Sequence, residues 1–340
     1  MKRAILLLLV ATTAQANVWQ SAIDRGSPDP AQDVYDSEMK TGDELAMQSV
    51  AKSASLKAIR QLVDHAVQSY RNAAAAKPSA AEPYFRIGRL LYSIYFECDE
   101  IPNLSAQSLL CDPDASHIDR KHAQETIDAW NAFESRAPLD PRLSVHLGET
   151  EILFKRAILE TKLASKDHLE AAARDYEKIL ERSDTSNDVS DETVWSNLAE
   201  TYMMLGRLED AVDMYHEAIR HGGTTSTLYG LAVALDRDER GEAARDVVLS
   251  LGANALEAFH VSVMSHHTFF VPRGEECYYF ALAHEAFDEV DDAIEYWQAY
   301  IQSGAHPEFQ PRAKEHLAAL TAKRHPIPRA PWDDLLKPGH

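Results

Sequence analysis

The sequence predicts an all-α protein built from consecutive helix pairs, and three observations carry that prediction. Between residues 192 and 223, Trp195, Leu198, Ala199 and Tyr202 fall at i, i+3, i+4 and i+7. Ala211, Tyr215, Ala218 and Ile219 share one face of a second helix close behind. The 340 residues include only 13 Gly and 15 Pro, too few for a turn-rich β fold of this length. No stretch sustains the period-2 alternation between turn signals that strands require.

Each segment has its own reason. Met1, Lys2 and Arg3, an apolar run from Ala4 to Ala11, and Ala14-Gln15-Ala16 form the pattern of a secretory signal peptide over residues 1–16, cleaved between Ala16 and Asn17. The apolar run is shorter than the ~20 residues a membrane span needs, so no stable membrane insertion is expected after cleavage. Residues 17–42 are poor in apolar groups and read as a flexible acidic lead-in. From Asp43 to Ala76 the pattern turns helical, with Leu56, Ile59, Val63, Ala66, Val67 and Tyr70 on one stripe and Lys77-Pro78 ending it. Tyr84, Ile87, Gly88 and Leu91 mark a further helix, partnered by Ala129 and Phe133; Leu147 and Gly148 mark another, partnered by Ala172, Tyr176 and Ile179.

The unit at 192–223 is the best formed. Ser190 is placed to cap its first helix with Asp191 and Glu192 in the opening turn, Gly206 suits a left-handed C-terminal residue, and Gly222-Gly223 stop the second helix. Leu228, Leu231, Ala232, Leu235, Ala244, Val248 and Leu251 give a degenerate copy one residue shorter, and 274–307 gives another through Cys277, Phe280, Ala281, His284, Asp288, Ala293, Trp297 and Tyr300. Residues 43–324 therefore read as one continuous array, followed at 325–340 by a proline-rich tail around Trp332, Leu335 and Leu336.

The order Trp195, Leu198, Ala199, Tyr202, Gly206, Ala211, Tyr215 and Ala218 closely resembles the tetratricopeptide repeat, a 34-residue helix pair, and lacks only the closing Pro, where Gly223 stands. The resemblance implies a right-handed α-solenoid of tetratricopeptide-like helix-turn-helix repeats, covering most of residues 82–320. It also implies a groove lined by the first helix of each pair. The residues flanking the packing positions there are Thr193, Ser196, Asn197, Glu200, Met203 and Met204, then Tyr229, Val233 and Asp236, then Glu275, Tyr278, Leu282 and Glu285. Asn197 matches an asparagine with which ligand-binding repeats hold a peptide backbone. The basic residues of the family's carboxylate clamp are replaced by Thr, Ser and Glu, so an acidic C-terminus is not the expected ligand. A basic or amphipathic protein segment or peptide is.

Charge and cysteine usage narrow the setting. There are 34 basic against 54 acidic side chains, a formal net charge of -20, which disfavours nucleic acid and anionic lipid as partners. Cys98 and Cys111 bracket a short non-helical loop and suit a disulfide in an oxidising compartment, while Cys277 falls at a helix-packing position. With the leader, this predicts export across the inner membrane to the periplasm.

Catalytic and cofactor signatures are not found. Ser49-Val50-Ala51-Lys52 and Lys40-Thr41-Gly42 mimic two motifs of penicillin-recognising enzymes, but in reversed order and too close together. No GxSxG elbow, phosphate-binding glycine loop, HExxH pair or CxxC clip occurs, so no enzyme activity, cofactor or metal is expected. The expected function is that of an exported, non-catalytic scaffold or adaptor. The alternative is an envelope protein that binds a ligand or metal through the region of His260, His266, His267 and His284.

Overall fold

The computed structural model describes residues 29–50, 55–97, 118–143, 151–181, 190–264 and 272–324. These contain fourteen α-helices and no strand. In chain order they are α1 (Pro30–Ser49), α2 (Leu56–Ala76), α3 (Glu82–Tyr95), α4 (Arg120–Arg136), α5 (Glu151–Leu163), α6 (Lys166–Leu180) and α7 (Asp191–Met204). They continue with α8 (Leu208–Arg220), α9 (Thr225–Arg237), α10 (Gly241–Leu251), α11 (Ala253–Met264), α12 (Glu276–Ala286), α13 (Val290–Ser303) and α14 (Gln310–Lys323).

Successive helices pack as six pairs, α1/α2, α3/α4, α5/α6, α7/α8, α9/α10 and α12/α13, each pair also touching the next. The result is a tetratricopeptide-like α-solenoid. Helix α11 is inserted between the fifth and sixth pairs, and α14 follows the last. No single described helix is long and apolar enough to cross a membrane, although the bent pair α10 and α11, at 89° to each other, passes that test by length and composition together.

Local chemistry explains the helix starts. Ser55, Asp119, Ser165 and Ser190 each accept a hydrogen bond from the backbone N–H three residues on. Within pairs, the turn residue adopts a left-handed conformation: Ala164 (φ 58°), Gly206 (φ 74°), Glu239 (φ 61°) and Asp288 (φ 61°) stand at the α5/α6, α7/α8, α9/α10 and α12/α13 turns. Two of these are acids, because only the backbone geometry, and not the glycine itself, repeats along the array.

Where helices cross, small residues admit large ones. Ala199, Ala211 and Ala218 are fully buried, and Tyr202 and Tyr215 fill the space around them. A Cβ added at Gly230 would stand 2.5 Å from the Tyr215 ring, and one at Gly88 2.3 Å from Trp130 Nε1. These glycines let an aromatic side chain of the preceding or partner helix lie directly on the backbone.

The region before residue 43 differs from expectation. Residues 30–42 are helical, capped by Asp29 and started by Pro30, and α1 extends to Ser49 before α2 begins at Leu56. Their scarce apolar groups suffice because Met39 is buried, and Gly42 admits the Tyr70 ring, whose hydroxyl donates to Asp43 at 2.8 Å. The signal peptide with its Ala16–Asn17 cleavage point, Cys98, Cys111, Leu147, Gly148, His266, His267 and the tail at 325–340 lie outside the described residues.

Candidate functional site

A cavity of about 450 Å³ opens between α7, the start of α9 and the inserted α11. Thr193, Ser196, Asn197 and Glu200 of α7 line it, half-buried. The double glycine after α8 leads into Thr224, whose side chain accepts from the Thr227 N–H while Thr227 Oγ1 accepts from the Thr224 N–H, a capping box that fixes the first turn of α9. That fixed turn aims Thr227 Oγ1 at Glu192 (2.6 Å) and sets it 3.1 Å from Ser196 Oγ. Ser196 also donates to Glu192 at 3.1 Å.

The other end of the cavity is aromatic. Tyr215 and Tyr279 both donate to Glu200 Oε2, at 2.7 and 2.9 Å. Burial first, and then the Glu200 charge, raise both phenols well above their ordinary value, so they remain protonated donors at any physiological pH. Tyr176, also raised by burial, hydrogen bonds with Thr161 and Asn197. Phe259 of α11 stacks on Tyr229 at 4.6 Å and on Tyr279 at 6.1 Å, which seats α11 as a wall of the cavity.

Not every expected groove residue reaches this space. Met203, Met204, Tyr229, Val233, Asp236, Tyr278 and Leu282 are buried in the core, and Glu285 is partly covered. For the residues of α9 and α12 the physical reason is that α11, α12 and α14 pack over faces that would otherwise be exposed. Asp236, fully buried, accepts from Tyr278 (2.6 Å), from Arg312 Nη2 (2.7 Å) and from His316 Nε2 (3.0 Å). Glu285 accepts from the other nitrogen of His316 at 2.9 Å and from Trp297 Nε1 at 3.0 Å.

Burial opposes both charges in this cluster, but the hydrogen bonds outweigh it. His316 and Arg312 hold the Asp236 carboxyl down at about 2, and Asp236 with Glu285 holds the His316 imidazole up at about 9. Beneath lies Arg237, wholly buried, paired with Glu275 at 2.7 Å and sandwiched 4.4 Å from the Tyr278 ring and 4.1 Å from that of Phe309. This second acidic locus is thus closed by cations of the chain itself.

Sequence reasoning missed Arg312 and His316, whose helix carried no groove signature, and Thr224 to Thr227, where a run of four hydroxyl residues after two glycines was the available signal. It also missed Phe259, because α11 belongs to no repeat unit.

Of the four histidines expected as a ligand region, the described His260 and His284 take part in packing. His260 stacks on Phe280 at 3.9 Å and meets Tyr296 Oη at 3.1 Å, and His284 stacks on Tyr296 at 5.2 Å. Ligand atoms of His284, Glu289 and Asp292 lie within 4.8 Å of one another, the one such grouping among the described residues, with His284 Nδ1 2.6 Å from Glu289. Cys277 is partly buried, and its thiol is pushed up to about 11 by burial and the neighbouring Glu276 and Glu275, which suits a packing residue and not a nucleophile.

No family model matches the chain, and no curated protein does. Thirty-two chains of known structure match. One, from a study titled "Functional Characterization of Pseudomonas Aeruginosa pilF", is 12% identical, with 84% of this chain and 100% of that chain covered and a TM-score of 0.40.

Proposed function

We propose that the protein is an exported, non-catalytic scaffold or adaptor that binds a peptide or helix of a partner protein in the periplasm. The observation that carries this reading is the α7–α9–α11 cavity, where two carboxylates, Glu192 and Glu200, are held by hydroxyl groups and form no ion pair with a described residue. Groups that hold polar side chains in fixed positions around open space are suited to recognition. The leader pattern at residues 1–16 supports export, and the acidic balance supports a basic or amphipathic partner over nucleic acid.

The test is site-specific photo-crosslinking in the native envelope, with the probe at Ser226 in the cavity or at exposed Asp213 on α8. A discrete protein adduct from Ser226, absent from Asp213 and lost on Glu200→Arg, is the expected result. Identical adducts from both positions would rule out the cavity as the partner site. Substitutions at Met204 or Tyr229 would not serve, because both side chains belong to the core.

A further inference from the structure

We infer that the α7–α9–α11 cavity takes an elongated ligand with two alkylammonium groups, one directed to Glu192 and one to Glu200. The inference rests on the cavity being the binding site and goes on to name the chemistry that fills it. Glu192 and Glu200 stand eight residues apart on α7, a rise of about 12 Å along the helix axis. That rise separates the two backbones, and the carboxylates themselves are held on separate partners, Ser196 and Thr227 for Glu192, and Tyr215 and Tyr279 for Glu200. The cavity, at about 450 Å³, is of molecular size.

The state of each carboxylate selects the cation. Glu200 Oε2 is already occupied by Tyr215 and Tyr279, while Oε1 accepts no hydrogen bond from a described residue. A guanidinium fork needs both oxygens of a carboxylate, whereas a compact ammonium needs one. Tyr215, Tyr279 and Phe259 line this end. At the other end Glu192 Oε1 is shared by Ser196 and Thr227, whose hydroxyl oxygens can accept the remaining ammonium hydrogens. Among the described residues, no Lys, Arg or His lines the cavity to compete.

Two sources have this chemistry: a free diamine, or two lysines of an extended partner segment, which at about 3.3–3.6 Å per residue would stand three or four positions apart. The experiment is calorimetric titration of the full chain with 1,8-diaminooctane, with 1,3-diaminopropane and 1-aminobutane for comparison, and with synthetic peptides whose two lysines are adjacent or four positions apart. At least one long-spaced dication should bind tenfold or more tightly than its short-spaced or singly charged counterparts. Glu192→Gln and Glu200→Gln should each lose that tenfold, and Glu209→Gln on α8, which removes the same charge elsewhere, should lose nothing. Binding by the long diamine assigns the free-amine source; binding by the spaced peptide alone assigns the partner's lysines.

Binding that ignores spacing and weakens equally in Glu209→Gln would overturn the inference, as would the absence of heat from every probe. The spacing comparison uses the unaltered chain, so misfolding of a variant does not remove the test. A cavity-specific crosslink at Ser226 without binding of any dication would refute the ligand chemistry alone and leave the binding site standing.

Discussion

Two acidic loci on the first-helix face of the array differ in what the chain supplies to them. At the C-terminal locus, Asp236 on α9 and Glu285 on α12 receive Arg312 and His316 from α14, and Asp236 is fully buried. At the middle locus, Glu192 and Glu200 receive, among the described residues, only Ser, Thr and Tyr hydroxyls and border a cavity. Where the chain brings its own cations, the acid is a structural pin joining three helices. Where it brings neutral donors, the charge is fixed in place and left for something else to meet.

The sharpest way to break this comparison is to remove one acid from each locus and compare denaturant unfolding. Asp236→Ala takes one acceptor from each of the half-buried Arg312 and His316 and leaves the buried Tyr278 hydroxyl without its carboxylate, and is expected to cost about 3–5 kcal/mol. Glu200→Ala removes the carboxylate acceptor of two buried tyrosine hydroxyls but of no cation, and is expected to cost about 1–3 kcal/mol. Equal losses would contradict the distinction between pin and site.

The C-terminal locus should also be the one that titrates. His316 is raised from its ordinary 6.5 to about 9, so its contribution is complete below pH 6.5 and is lost as pH rises through 9. Asp236 is lowered from 3.8 to about 2, so its contribution holds above pH 3.8 and is lost as pH falls toward 2. Stability measured between pH 6 and 10 should fall by up to about 3 kcal/mol in the native chain. The fall should be much smaller in His316→Gln, and an identical fall in both would remove His316 as its cause.

The middle locus should respond to packing. Gly230→Ala places a Cβ 2.5 Å from the Tyr215 ring, an overpacking expected to cost about 1–3 kcal/mol. The displaced Tyr215 should also withdraw one of the two hydroxyls that position Glu200, so long-spaced dication binding should weaken with it; unchanged binding would show that this tyrosine does not position the acid. The smallest effect expected is that of zinc. The three-group cluster at His284 is partly exposed, with Nδ1 on Glu289 and the ring stacked on Tyr296, so added zinc should leave Tm unchanged, and a rise would favour the metal-binding alternative.

The helix pairs were legible because a packing face repeats in sequence. Trp195, Leu198, Ala199 and Tyr202 identify α7 without any knowledge of its neighbours, and the left-handed turns at Gly206 and Asp288 fall where the repeat unit puts them. The face opposite was less legible, since its exposure depends on what lies across from it. Aligned on the first packing residue, Ser196 and Glu200 of α7 correspond to Tyr229 and Val233 of α9 and to Tyr278 and Leu282 of α12. The change from polar to aromatic and aliphatic at these positions was the available sign that the later units are covered. What covers them, α11 and α14, follows no repeat, and the Arg312 and His316 contacts to Asp236 span 76 to 80 residues of chain. Helix α1 was hidden for a related reason: its few buried groups work through Gly42, a residue that reads as a breaker when seen alone.

The most direct measurement is hydrogen exchange of the full chain with and without a long-spaced dication. The account predicts slowed exchange in residues 192–200 and 224–230 on binding, with α12 beyond Tyr279 and all of α14 unchanged. Slowing centred on α14 and the Asp236 cluster, or on the outer face of α8, would contradict the assignment of the middle locus as the open site.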